Sequence, residues 1–186
     1  FFHPHPATPD PLWSRGLGDV YKRQIKFMPI FLGGLHNAAG ITPAAFIKLK
    51  SKYMIEDTKL VSKKKNISFH FNSYFPIKTV NFMRGVLIAE KDNSEKNFIE
   101  KIFNAIWMDG LNMNDPIVIN KVLKNIDLNP EIFLKKVSDQ KVKDKLRKLT
   151  DDALKKKIFG VPAFVVNKKM FWGQDRLSYA IDEIKK

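Results

Sequence analysis

Two short segments near the C-terminus contain residue types that could bind a small polar ligand. Gly160-Val161-Pro162 precedes an apolar run, and an X-Pro bond at such a position can be cis at modest cost. Gln174-Asp175 opens a predicted helix, whose unpaired N–H groups suit a carboxylate while Asp175 suits an ammonium group. An ordinary trans proline and a simple helix cap explain the same residues, so both interpretations stay open here.

The elements around these residues are predicted to be two strands and a helix. The strands cover Ala163–Val166 and Lys169–Trp172, and the helix covers Gln174–Lys186. A cis proline in front of the first strand would present the backbone N–H and C=O of Val161 to an extended peptide, which would bind as an added strand.

The chain before this hairpin is predicted to be one strand followed by a long helical block. Ile25–Leu32 alternates into an apolar run, which predicts a strand with Pro29 near a sheet edge and Gly33-Gly34 at its end. Apolar residues at helical spacing then predict helices over 44–63, 79–90 and 98–107.

Helix starts in the second half of the block are marked by capping residues. Asp115-Pro116 and Asn129-Pro130 each place a cap residue before a proline at the first helical position. Ser138 is predicted to cap the helix that follows.

Composition excludes several classes of function. The 186 residues carry a net charge of +14, but most basic residues are scattered lysines, whereas base readout and bidentate phosphate contacts favour arginine. We therefore expect no nucleic-acid partner. The absence of cysteine excludes disulfides, a dithiol redox centre and thiolate metal sites. Because no apolar run reaches the length of a membrane-spanning helix and no signal peptide is recognisable, we expect a cytoplasmic protein without a membrane partner.

Residues 1–24 differ from the rest of the chain. They hold four of the ten prolines, and Leu12–Gln24 resembles a translated adapter sequence. We expect residues 1–24 to be a non-native or disordered leader.

Four segments in order resemble the 2-hydroxychromene-2-carboxylate isomerases and the kappa-class glutathione transferases of the DsbA-like thioredoxin group. They are Pro29–Gly34, Phe75–Val80 with Arg84, Phe159–Pro162 and Gly173–Arg176. The resemblance implies an α/β protein with a thioredoxin-like fold interrupted by a helical insertion domain. Residues 25–41 and 151–186 would form the thioredoxin-like part and 42–150 the insertion, with the first strand and helix missing.

The resemblance also implies that glutathione is the cofactor. Its main chain would pair with Val161 beside Pro162, and its γ-glutamyl end would meet Gln174 and Asp175.

Three further positions correspond to ligand contacts in the family. Lys50 and Tyr53 fall where the family has a lysine and a tyrosine lining the cleft. Ile41 stands where the family usually has an asparagine, and Lys78 likewise replaces an asparagine. Both replacements remove side-chain amides that could contact the ligand.

The catalytic residue is not identified in this sequence. The family begins with a strand, a Ser-Pro-Tyr-type turn whose serine faces the glutathione sulfur, and a helix, and nothing in residues 1–24 matches this pattern. Ser14 lacks the strand before it and the helix after it. We expect a truncated copy that is neither stable nor active as written.

For the intact protein the resemblance implies a glutathione-dependent isomerase of an aromatic small molecule, with a homodimer possible. The alternatives are a kappa-type transferase or peroxidase, a DsbA-family oxidoreductase whose cysteines would precede this sequence, and a basic binding module without catalysis.

Overall fold

The computed structural model describes residues 26–185. Within this part of the chain, a block of helices is followed by a two-stranded hairpin and a final helix. The helices are α1 (Leu32–Ala38), α2 (Lys48–Lys65), α3 (Val80–Ala89), α4 (Glu95–Trp107), α5 (Pro116–Lys124), α6 (Pro130–Ser138), α7 (Gln140–Lys155) and α8 (Leu177–Ile184). The strands are β1 (Ala163–Val166) and β2 (Lys169–Trp172), and short 3-10 turns cover Ala44–Phe46, Glu90–Asp92 and Gln174–Arg176.

The predicted strand over Ile25–Leu32 is wrong for the residues described. Residues 26–31 have no regular secondary structure, and α1 begins at Leu32, so that Gly33 and Gly34 lie inside a helix. An extended segment becomes a strand only when a neighbouring strand pairs with its backbone, and no such neighbour occurs within residues 26–185. Instead, Phe31 donates its backbone N–H to Thr150 Oγ1 at 3.0 Å.

The main hydrophobic core lies among the helices α3 to α6. Its fully buried members include Phe82, Val86, Phe98, Ile102, Met113, Leu123, Phe133 and Val137. Gly85 allows three of these helices to approach closely, because a Cβ atom there would lie 2.5 Å from the Phe98 ring and 2.9 Å from the Phe133 ring.

Two of the three predicted helix caps are confirmed and one is wrong. Asp115 accepts a hydrogen bond from the backbone of Ile117, and Asn129 caps α6 in the same way. Ser138, however, is the last residue of α6, and Asp139 caps α7. Only the residue with non-helical backbone can act as the cap, and Asp139 is the single residue between the two helices.

The C-terminal hairpin has the predicted bounds. β1 and β2 are antiparallel and pair from Ala163 with Trp172 to Val166 with Lys169. Asn167 and Lys168 form the turn with positive φ angles, as a tight hairpin requires. The predicted C-terminal helix begins as the 3-10 turn Gln174–Arg176 and continues as α8, which packs on both strands.

Two negative observations apply to the described residues. Among residues 26–185, no helix combines the length and apolar character needed to cross a bilayer. The same residues contain no group of three histidine, aspartate or glutamate side chains arranged to hold a metal ion.

Candidate functional site

The hairpin has one edge that β2 does not cover. Gly173 donates its backbone N–H to the carbonyl oxygen of Pro162 at 3.0 Å, which extends the ladder by one pair. Because backbone polar groups alternate between the two sides of a strand, Pro162 and every second residue after it face β2. Ala163 and Val165 therefore direct their N–H and C=O groups to the opposite edge, and Val161 precedes this edge.

Val161 is accessible at the start of this edge. Its residue surface is 48 % exposed, and within residues 26–185 no group forms a hydrogen bond with its backbone. The Val161–Pro162 peptide bond is cis. The structure thus presents one free donor and one free acceptor next to Pro162, the pattern that main-chain pairing with an extended ligand needs.

The loop before Val161 is held by contacts that the sequence did not reveal. The rings of Phe159 and Trp172 lie 4.9 Å apart, and His36 Nε2 lies 3.1 Å from the carbonyl oxygen of Phe159. A Cβ atom on Gly160 would lie 2.7 Å from Trp172 Nε1. Because these partners come from distant parts of the chain, no local pattern could have indicated them.

Gln174 and Asp175 begin the last helical segment directly after β2. The first backbone bond of this turn runs from the N–H of Arg176 to the carbonyl oxygen of Gly173, so the N–H groups of Gln174 and Asp175 have no partner within the turn. The Asp175 carboxylate is exposed and lies 3.5 Å from the Arg176 guanidinium. Arg176 in turn lies 5.4 Å from the centre of the Tyr179 ring.

Gln174 also reaches a small cavity between α2 and α4. The cavity has a volume of about 40 Å³ and is lined mainly by apolar side chains, among them Val61, Ile67, Phe69, Phe103, Trp107 and Met108. A volume of this size holds roughly one or two water molecules, not a tripeptide. The cavity therefore marks where Gln174 meets the helical block rather than a place for glutathione.

The other three site residues predicted from the family lie on α2 and in the segment after α1. Lys50 and Tyr53 are exposed on α2, and Ile41 is half-buried after α1, where its N–H bonds to the carbonyl oxygen of His36. The cavity beside Gln174 meets α2 at Thr58 and neighbouring residues, and helix geometry turns Tyr53 about 140° away from Thr58. Among the described residues, no hydrogen bond or ion pair joins Lys50, Tyr53 or Ile41 to the hairpin.

The Phe75-Pro76 segment is held against α4 by a buried asparagine that the sequence gave no reason to single out. Asn72 is 1 % exposed. It donates to the carbonyl oxygens of Ile106 and Leu111 and accepts from the backbone N–H of Tyr74. These bonds hold the Phe75 ring next to the Trp107 ring, with a distance of 6.1 Å between the two ring centres. The pair lies beside the cavity that Gln174 lines.

Comparison with known proteins gives consistent matches. The sequence pattern of the DSBA-like thioredoxin domain matches residues 14–185. Glutathione S-transferase kappa 1 of Rattus norvegicus is 25 % identical over 183 residues, which is 88 % of this chain and 80 % of that protein. The 2-hydroxychromene-2-carboxylate isomerase of Sphingobium xenophagum is 23 % identical over 130 residues, which is 70 % of this chain and 66 % of that protein.

A solved 2-hydroxychromene-2-carboxylate isomerase has the same fold. It superposes with a TM-score of 0.79 at 21 % identity, covering 92 % of this chain and 85 % of the other. These matches confirm the family resemblance and the fold class expected from the four sequence segments. The chain belongs to the DSBA-like thioredoxin domain family.

Proposed function

We propose that the protein is a glutathione-dependent isomerase of the 2-hydroxychromene-2-carboxylate type. The observation that carries the proposal is the free backbone edge at Val161, adjacent to the helix start that carries Gln174 and Asp175. The names of the relatives support it, since they are an isomerase of this kind and a glutathione transferase.

The donor and acceptor groups of this site fit glutathione. A γ-glutamyl group carries a carboxylate and an ammonium on one carbon, which complement the free N–H groups at Gln174 and Asp175 and the Asp175 carboxylate. The peptide main chain of glutathione complements the N–H and C=O of Val161.

The described residues orient the cofactor, which supplies the reacting group. When bound, glutathione would supply a thiolate that can add to a conjugated aryl enone-acid and leave again. Val161 and Asp175 would fix the two ends of the tripeptide, which limits where its sulfur can lie. The residue that faces the sulfur is not identified in this sequence, and Lys50 is the candidate to meet the substrate carboxylate.

Titration calorimetry with glutathione tests the proposed site. Asp175→Asn removes the charge that would pair with the γ-glutamyl ammonium, and we expect affinity to fall about tenfold. Asp182→Asn changes an exposed aspartate on α8, the helix that follows this turn, and should leave affinity unchanged. Equal affinities for the two variants, or no binding by the unaltered protein, would contradict the site.

A kappa-type transferase is the second candidate function, favoured by the longer match to the rat transferase. Mass spectrometry of the products separates the two activities. An isomerase returns free glutathione after each turnover, whereas a transferase yields a conjugate and consumes glutathione.

A further inference from the structure

Two phenylalanine rings are exposed beside the C-terminal end of α4. Phe71 is 42 % exposed and Phe75 38 %, and their ring centres lie 5.7 Å apart. Both also contact the ring of Trp107, the last residue of α4, at 6.2 Å from Phe71 and 6.1 Å from Phe75. The three rings form an almost equilateral triangle, which is called the aromatic shelf below.

The aromatic shelf adjoins the cavity that Gln174 lines. The ring of Phe69 stacks on Trp107 with 5.8 Å between the ring centres, and both residues line this cavity. A cavity that encloses a benzene ring has a volume on the order of 150 Å³, whereas this one has about 40 Å³. An aromatic ligand next to Gln174 therefore cannot enter the cavity and has to lie on the exposed rings outside it.

Hydrogen bonds hold the backbone next to each exposed ring. On one side of Phe71, the His70 N–H donates to the last carbonyl oxygen of α4 at 2.7 Å, and on the other side Asn72 is buried and bonded as described above. Asn114 Nδ2 donates to the carbonyl oxygens on either side of Phe75 at 3.4 and 3.3 Å. The rings are thus held in place before a ligand arrives, which lowers the entropic cost of binding.

We propose that the aromatic shelf binds the aryl group of the substrate and favours fused-ring aryl acids over single-ring ones. This role rests on the glutathione-dependent activity proposed above. Aromatic rings prefer offset or tilted contacts, and the rings of Phe71 and Phe75 are tilted by 56°. A fused pair of rings can lie on the face of one phenylalanine and reach the edge of the other, whereas a single ring is narrower than the distance between their centres.

A protein partner fits the aromatic shelf less well. A stable protein interface covers roughly 800 Å² on each partner, far more than two partly exposed phenylalanine rings provide. The exposed residues around the rings are mostly polar, among them Ser68, His70 and Ser73. A small planar ligand matches the size and the chemistry of the shelf.

S-substituted glutathiones test the shelf separately from the cofactor site. Titration calorimetry of the full chain compares S-methylglutathione, S-benzylglutathione and S-(naphthylmethyl)glutathione. The methyl compound reports on the cofactor site alone. We expect the naphthylmethyl compound to bind at least about tenfold more tightly than the methyl compound, with the benzyl compound between them.

Paired variants assign this difference to the rings. Phe71→Leu/Phe75→Leu keeps apolar side chains but removes the rings, so the advantage of the naphthylmethyl compound should fall at least about fivefold while the affinity for S-methylglutathione stays unchanged. Ile132→Ala/Leu134→Ala alters two exposed apolar residues of α6 and should keep the full advantage. Circular dichroism verifies that both variants keep their helix content.

The results separate a failure of the shelf from a failure of the proposed function. If the methyl and naphthylmethyl compounds bind equally, or if the advantage survives Phe71→Leu/Phe75→Leu, the shelf is refuted and the cofactor site stands. If no glutathione compound binds, the proposed function is contradicted, and equilibrium dialysis with 2-naphthoate and benzoate then tests the shelf directly. Tighter binding of naphthoate that Phe71→Leu/Phe75→Leu abolishes would support the shelf, and equal or absent binding would overturn it.

Discussion

His36 and Phe159 are 123 positions apart in the sequence, yet His36 Nε2 lies 3.1 Å from the Phe159 carbonyl oxygen. A carbonyl oxygen can only accept, so Nε2 carries the proton and donates it in this bond. The contact ties α1 to the loop that presents Val161. His36 on α1 therefore helps to hold the loop of the candidate glutathione site in place.

His36→Phe removes this bond while keeping a ring of similar size. A partly exposed hydrogen bond contributes about 0.5–1.5 kcal/mol, so we expect glutathione affinity to fall about two- to tenfold through a looser Val161 loop. Calorimetry measures the change. His70→Phe is the matched control, because His70 Nδ1 bonds to the carbonyl oxygen of Met108 in the helical block, and its loss should leave affinity unchanged.

Gly160→Ala should disturb the indole of Trp172. The added Cβ would lie 2.7 Å from Trp172 Nε1, so the ring must move and give up its contact with Phe159. We expect a loss of about 1–3 kcal/mol in the free energy of unfolding and a change in tryptophan emission. Gly33→Ala in α1 meets only ordinary contacts and should raise stability by about 0.5–1 kcal/mol. Urea titration that shows the two variants to be equally stable would refute this expectation.

Asp139→Ala and Ser138→Ala distinguish the observed cap of α7 from the one that the sequence suggested. Asp139 accepts from the backbone N–H of Lys141 at 2.7 Å, whereas Ser138 ends α6. Loss of the Asp139 cap should cost about 1 kcal/mol, and Ser138→Ala should be nearly neutral. Denaturant midpoints measure both, and a larger effect at Ser138 would restore the sequence-based assignment.

Asn72→Ala leaves three backbone groups without their partner. The carbonyl oxygens of Ile106 and Leu111 and the N–H of Tyr74 lose hydrogen bonds, and unsatisfied buried groups cost about 1–3 kcal/mol each. We expect at least about 2 kcal/mol of destabilisation and faster hydrogen exchange at Tyr74. Asn114→Ala removes exposed bonds to the same segment and should cost less. Similar losses in both variants would argue against Asn72 as the anchor.

Glu90 should make stability depend on pH. The hydrogen bond from Lys145, with a smaller contribution from the charge of Lys26, holds the pKa of Glu90 below its ordinary value of 4.5. Because the folded pKa lies below the unfolded one, the stabilisation is complete above the unfolded value and is lost as the pH falls through the folded value. The side chain is one-third exposed, so screening limits the effect to less than about 1 kcal/mol.

Glu90→Gln provides the measurement. Its stability deficit relative to the unaltered protein should be present at neutral pH, shrink under acid conditions and decrease with salt. Glu131→Gln, which changes an exposed glutamate in the first turn of α6, is the comparison. A deficit that does not vary with pH would show that the ion pair with Lys145 is not its source.

The sequence alone was sufficient to predict the elements that depend on residues close to one another in the chain. The hairpin bounds follow from β-branched and aromatic residues on both sides of Asn167 and Lys168, which accept the turn conformation. The caps at Asp115 and Asn129 likewise depend on a side chain and a backbone N–H two residues away. The four segments that carry the family resemblance were also readable without a structure.

Only the tertiary structure determined the features that depend on contacts between residues far apart in the chain. Residues 26–31 have strand-like alternation, but a strand needs a neighbour to pair with its backbone, and the described chain provides none there. The contact between His36 and Phe159 and the meeting of Gln174 with the helical block join segments that no short pattern relates. The exposure of Leu49 and Leu60 was equally hidden, because helical spacing marks a face as apolar but does not state whether anything packs on it.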